Sequence, residues 1–126
     1  MKNRWPISLC TVLLGLALLS ACHQNDGPLH MVLTVSPDHP SMTRPIGFTV
    51  HISENGQPVT NADVVGTITM KSMDMGKTEL KFTSKGNGDY EASLKDMDMS
   101  GDWALAVYAA RGGVHTRKAF DFKVFD

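Results

Sequence analysis

Residues 103–124 read WALAVYAARGGVHTRKAFDFKV, two alternating stretches on either side of a turn. In the first stretch every second residue from Trp103 to Ala109 is apolar. In the second, the apolar positions are Phe120, Phe122 and Val124. A period of two is typical of strands that bury one face, and Arg111-Gly112-Gly113 supplies the turn residues between them. This stretch therefore predicts two consecutive β-strands.

The same alternation covers most of the preceding chain. It predicts five further strands, near residues 29–35, 46–52, 64–70, 79–82 and 90–94. Asn55-Gly56 and the run from Lys85 to Asp89 mark turns between them, because Asn and Gly accept the positive φ that hairpin turns require. We predict an all-β fold, an immunoglobulin-like β-sandwich of about seven strands over residues 29–126.

The N-terminal residues have the layout of a secretory signal peptide. Lys2 and Arg4 precede a short apolar run that ends at Leu19, and Leu19-Ser20-Ala21-Cys22 resembles the bacterial lipobox. This resemblance implies cleavage before Cys22 and acylation of that residue, with a signal peptide at 1–21 and a polar tether at 22–28. A cleaved, soluble secreted protein is the alternative interpretation.

The predicted processing determines the compartment and the cysteine chemistry. Cys10 leaves with the signal peptide and Cys22 carries lipid, so the mature chain has no thiol for a disulfide or a thiolate metal site. His23 stands where an aspartate would retain the protein at the inner membrane. We expect a cell-envelope protein anchored to the membrane and facing the periplasm, at the outer membrane in a Gram-negative cell.

The charge balance argues against a nucleic-acid partner. Without Lys2 and Arg4, ten basic residues face thirteen acidic ones, a formal net charge of −3. Nucleic-acid binding would need a basic stripe. The sequence also lacks a phosphate-binding Gly-rich loop, a G-x-S-x-G turn and an HExxH helix, so we predict that the protein is not an enzyme.

Two short motifs distinguish the chain from an ordinary small domain. They are Met73-Asp74-Met75-Gly76 and Met97-Asp98-Met99-Ser100-Gly101. A thioether is a soft, uncharged donor of the kind that selects Cu(I), whereas zinc prefers nitrogen or thiolate and calcium prefers oxygen. Residues i and i+2 of an extended segment point the same way. Each motif can therefore present two sulfurs together.

The predicted topology gathers these motifs. If consecutive strands run antiparallel, alternate loops lie at one end of the sandwich, which unites both motifs with the first loop, residues 36–42. A Greek-key crossover would separate them, and the sequence leaves this open. The predicted copper ligands are Met73, Met75, Met97, Met99 and His39.

Other interpretations of these residues remain. The methionines could cap the core or form an adaptable protein-binding surface. The alternative function is thus an immunoglobulin-like interaction module of the envelope without a metal, and a purely structural lipoprotein is a third option. His51 and His115 fall on outward strand positions and are read as surface residues.

The motifs also resemble those of a known family. Met-x-x-Met-x-Met-Gly from Met70, Gly-x-Gly-x-Tyr at 86–90 and Met-x-Met-x-Gly-x-Trp at 97–103 resemble the YtkA-like domain, which is related to FixH-type proteins. The resemblance implies a small extracytoplasmic immunoglobulin-like domain associated with copper handling and oxidase assembly, with Met73, Met75, Met97 and Met99 at the family's methionine positions. Lys77 departs from the pattern, because the family often has histidine after this glycine. This departure leaves three alternatives: His39 replaces the imidazole, the site is sulfur-only and more labile, or the chain has lost copper binding altogether.

Overall fold

The computed structural model describes residues 25–126. The predicted signal peptide (1–21) and the predicted acylation site Cys22 lie outside these residues. The described chain forms ten β-strands: β1 (Asn25–Asp26), β2 (His30–Ser36), β3 (Ile46–Glu54), β4 (Gln57–Pro58), β5 (Asp63–Met70), β6 (Thr78–Lys81), β7 (Thr83–Gly86), β8 (Asp89–Leu94), β9 (Gly101–Arg111) and β10 (Val114–Val124).

The strands form two antiparallel sheets packed face to face. One sheet has the order β1-β10-β9-β5-β6, and the other has the order β2-β3-β8-β7, with β4 paired to β3. The second order corresponds to strands A-B-E-D of an immunoglobulin domain, and β5-β9-β10 corresponds to C-F-G. The prediction of an immunoglobulin-like β-sandwich is confirmed.

Alternating side chains of both sheets build the core. Its largest fully buried members include Tyr90, Phe48, Leu29, Met31 and Ile46. The four apolar positions of β9, from Trp103 to Ala109, are all buried as the alternation predicted. The turn at Asn55-Gly56 and the turn at Asn87-Gly88 both have positive φ, which accounts for their residue types.

Three short strands account for the difference from the predicted count of seven. β4 forms a small hairpin with β3, and β1 pairs Asn25 with Lys118 and Asp26 with Arg117 of β10. Part of the predicted tether, 22–28, therefore lies in a sheet. The predicted strand at 79–82 also continues as β7, because the chain changes sheets at Phe82: β6 pairs with β5, whereas β7 pairs with β8.

Within residues 25–126, no helix has the length and hydrophobicity needed to cross a membrane.

Candidate functional site

Three loops meet at one end of the sandwich. β2, β5 and β8 run toward this end, and β3, β6 and β9 run away from it, because every pair of neighbouring strands is antiparallel. The loops 37–45, 71–77 and 95–100 therefore share that end, and β10 finishes there as well. We call this region, with residues 125–126, the methionine end. No crossover separates the two methionine motifs.

The loop at 95–100 carries its methionines inward. It crosses from β8 in one sheet to β9 in the other, over the end of the core. Met97 is only 7% exposed and Met99 is half-buried against the core. The backbone N–H of Met97 donates to the carbonyl of Met42 (3.5 Å), and the Trp103 indole N–H donates to the carbonyl of Met99 (3.2 Å). This motif is thus hydrogen-bonded to the first loop at Met97 and to Trp103 of β9 at Met99.

The loop at 71–77 carries its methionines outward. It joins β5 to β6, two neighbouring strands at the margin of one sheet, so its tip projects from the core. Met73 is 50% exposed and Met75 is 45% exposed. The Gly76 N–H donates to the Asp74 carboxylate (3.1 Å), a local turn bond that shapes the tip. A shallow cleft of about 320 Å³ runs along this loop.

Met70 lies between the two motifs. It is paired with Trp103 across β5 and β9, and its Cε would be 3.1 Å from a Cβ placed on Gly101. The Lys71 N–H continues the pairing by donating to the Asp102 carbonyl (3.0 Å). Met70 and Met99 therefore both adjoin Trp103. Met70 ends the strand predicted at 64–70, and that pattern does not indicate a position beside the second motif.

Met42 is a second thioether that the predicted ligand set leaves out. It lies beside Met97, and both line a cleft of about 480 Å³ with Lys95 and Asp98. Its place in the first loop was visible in the sequence. Its pairing with Met97 depends on loop geometry that the sequence does not reveal.

His39 also lies at the methionine end. Its ring centroid is 5.2 Å from that of Phe125, and the Phe125 N–H donates to the neighbouring Pro40 carbonyl (2.7 Å). This fixes the histidine beside β10. The loop at 71–77 follows β5, two strands away, which corresponds to about 10 Å between strand ends. His39 and Met73 therefore occupy opposite sides of the same end.

His51 and His115 lie away from the methionine end. His115 is exposed and opposite Ala110, near the turn at the other end of the sandwich. His51 is exposed and its Nδ1 lies 2.8 Å from the Asp89 carboxylate. Among residues 25–126, no group of three or more His, Cys, Asp or Glu side chains is placed to hold a metal. A metal at the methionine end would therefore depend on thioethers, with His39 as the nearby imidazole of that end.

The fold and its paired sheets define an immunoglobulin-like β-sandwich domain. The sequence profile of the YtkA-like family matches residues 23–108, about two thirds of the chain, and the protein belongs to this family. The resemblance noted from the motifs is thereby confirmed. No curated protein sequence matches significantly.

Three solved structures are similar to this chain to different degrees. A crystal structure of a DUF4426 family protein from Pseudomonas aeruginosa PAO1 is similar with a TM-score of 0.57 and 16% identity, covering 84% of this chain and 94% of that one. Titin domain M4 has a TM-score of 0.44 and 12% identity, over 79% of this chain and 98% of its own. The titin M10 complex with an obscurin-like 1 immunoglobulin domain has a TM-score of 0.40 and 10% identity, over 79% of this chain and 96% of that one.

Proposed function

We propose that this protein is a lipid-anchored copper-binding protein of the bacterial envelope that carries or buffers Cu(I). The observation that supports the proposal is that both Met-x-Met motifs and His39 lie at the same end of the sandwich. Thioethers with an imidazole are a donor set that suits Cu(I) and few other biological metals. Membrane attachment would come from acylated Cys22, and the metal would pass to an acceptor protein.

The different depths of the two motifs suit a carrier. Met97 and Met99 are held against the core, so little side-chain freedom remains to be lost when they bind a metal. Met73 and Met75 are exposed and accessible from outside. In this proposal the exposed pair captures or releases Cu(I) and the packed pair supplies a fixed platform. Such a site would exchange metal more readily than a closed one.

A protein-interaction module is the second candidate function. It is favoured by the exposure of Met73 and Met75, because flexible exposed methionines can adapt to a partner surface. In that case the same loop would contact a protein without any metal. The two functions differ in one property, which is stoichiometric Cu(I) binding by the isolated protein.

The copper-binding and protein-interaction functions can be distinguished by substituting leucine for Met73, Met75, Met97 and Met99. Leucine nearly preserves volume, and such a swap costs less than about 1.5 kcal/mol in a core, but it has no lone pair to donate. We expect the quadruple variant to remain folded and to lose Cu(I) binding, measured by competition with a colorimetric Cu(I) chelator under reducing conditions. Met31→Leu is the matched control, since Met31 is buried near the other end. Undiminished binding by the quadruple variant would reject the copper site.

A further inference from the structure

The first described strand limits how far the domain can stand from its anchor. Asn25 pairs with Lys118 in the middle of β10. Cys22 precedes Asn25 by three residues, and an extended chain of that length spans at most about 11 Å. The present inference rests on the proposed acylation of Cys22. With that anchor in place, β10 is held close to the membrane surface.

An incompletely covered apolar flank lies along the same strand. β2 is the edge of its sheet, and among residues 25–126 only the two residues of β1 cover the outer side of β10. The inward residues of both strands pack on the core while remaining partly exposed: Leu33, Val35, Phe120 and Phe122. We call this surface the β2–β10 flank.

Cations and aromatic rings border this flank. The Lys118 ammonium donates to the Met31 carbonyl (3.0 Å) and lies 5.0 Å from the centroid of the Phe120 ring. At the corner nearest the methionine end, Lys123 lies 5.5 Å from the ring of Phe125, which is 37% exposed. Asp121, the acidic residue of β10, is bound by Lys71 at 2.9 Å.

We infer that the β2–β10 flank is the face that the domain turns to an anionic phospholipid bilayer. Aromatic rings and lysines at one surface match the boundary between acyl chains and headgroups. Anionic headgroups attract each nearby lysine over about a Debye length. The short link to Cys22 keeps the Asn25–Lys118 position of the flank within about 11 Å of the anchor residue. A second copy of the chain or a partner protein on this flank is the competing outcome.

The inferred orientation bears on copper transfer. Asn25 is the end of β1 nearer to the methionine end, and His39 and Phe125 lie at that end beside β10. The methionine end would then stand beside the bilayer surface. The copper acceptor that fits this placement is a protein whose receiving site lies at the membrane surface.

Nitroxide labels on two matched threonines test the flank. Thr34 lies on β2 and Thr83 on β7, the opposite edge strands of one sheet, and both are exposed. The two native cysteines are Cys10 and Cys22, so acylated protein with Thr34→Cys or Thr83→Cys carries a single label. In phosphatidylethanolamine–phosphatidylglycerol vesicles, collisions with an aqueous nickel complex should fall about threefold or more at position 34 relative to detergent, because an interfacial site is shielded from water. The collision rate of a label at position 83 should be the same in vesicles and in detergent.

The arms of the experiment separate the possible failures. Lys123→Gln should reduce the shielding at position 34, and Lys81→Gln, an exposed lysine near the other flank, should not. Mass spectra without acyl mass on Cys22 would overturn both the anchor and the flank. Acylated protein with equal collision rates at 34 and 83 would retain the anchor and overturn the flank. Dipolar coupling between labels at position 34 would show that a second copy covers the flank and would also overturn the inference.

Discussion

At the scale of single residues, His39 is the imidazole best placed to join a copper site. Its ring is packed beside Phe125, and the adjoining chain is joined to β10 by the Pro40–Phe125 backbone bond and by the Met42 N–H donating to the Phe125 carbonyl (3.2 Å). These contacts hold the ring at the methionine end, on the side of β10. His115 has no such relation to the methionine end.

We expect His39→Ala to weaken Cu(I) binding about tenfold, equivalent to about 1.4 kcal/mol, without abolishing it. Sulfur ligands alone would still hold the metal. His115→Ala is the matched control and should leave affinity unchanged, because it removes an imidazole near the other end. Both are measured by chelator competition. A larger loss of Cu(I) affinity for His115→Ala than for His39→Ala would show that the site lies at the opposite end.

The two motifs differ in burial, and this difference could not be predicted from the sequence. Both motifs have the same i, i+2 spacing, so the sequence predicts the same presentation for each. Their loops differ in what they connect. The loop carrying Met97 spans the two sheets and closes the core, whereas the loop carrying Met73 joins neighbouring strands and projects outward. Burial thus depends on the sheet to which the next strand belongs, which spacing does not encode.

At the scale of elements, alternation predicted the long strands well and missed changes of partner. Leu80 and Phe82 are both buried, so the period of two continues through the point where the chain leaves one sheet for the other. The pattern therefore gives no sign that β6 and β7 are separate. β1 was not predicted for another reason. Asn25–Asp26 pair with β10 through the backbone, and their polar side chains have no preference for a strand.

Tyr90 of β8 ties the chain between β4 and β5 to the core. Its hydroxyl donates to the Val59 carbonyl (2.8 Å) and accepts from the Ala62 N–H (3.0 Å). Tyr90→Phe leaves both backbone groups without this partner, which should lower the free energy of unfolding by about 1–3 kcal/mol. Urea denaturation measures the loss.

The matched control for this prediction is Tyr108→Phe. Tyr108 is 41% exposed and its hydroxyl accepts from Arg117 at the surface (3.1 Å). Water can replace that bond, so the change in the free energy of unfolding should stay within about 0.5 kcal/mol. Equal losses in the two variants would contradict the role assigned to the Tyr90 hydroxyl.

At the scale of the whole molecule, the proposed function joins a lipid anchor to a metal-binding end. The predicted anchor is tested by intact mass measurement of the membrane-extracted protein. We expect the first 21 residues to be absent and Cys22 to carry acyl mass, and Cys22→Ser should move the protein out of the membrane fraction. An unmodified Cys22 would leave the protein without the proposed attachment.

The sequence placed the two motifs at one end only if no crossover intervened, and the antiparallel pairing of the strands brings both to that end. That arrangement is the basis of the copper proposal, and nuclear magnetic resonance of the methionine methyl groups tests it most directly. Methionines 31, 42, 70, 73, 75, 97 and 99 follow the predicted cleavage site, and each contributes one methyl signal. Single leucine substitutions assign the signals.

On addition of Cu(I) under reducing conditions, we expect the methyl signals of Met73, Met75, Met97 and Met99 to shift and to saturate at one equivalent. The signal of Met31, buried near the other end, should not move. Unchanged spectra at one equivalent, or shifts in only one of the two motifs, would contradict a shared copper site at the methionine end.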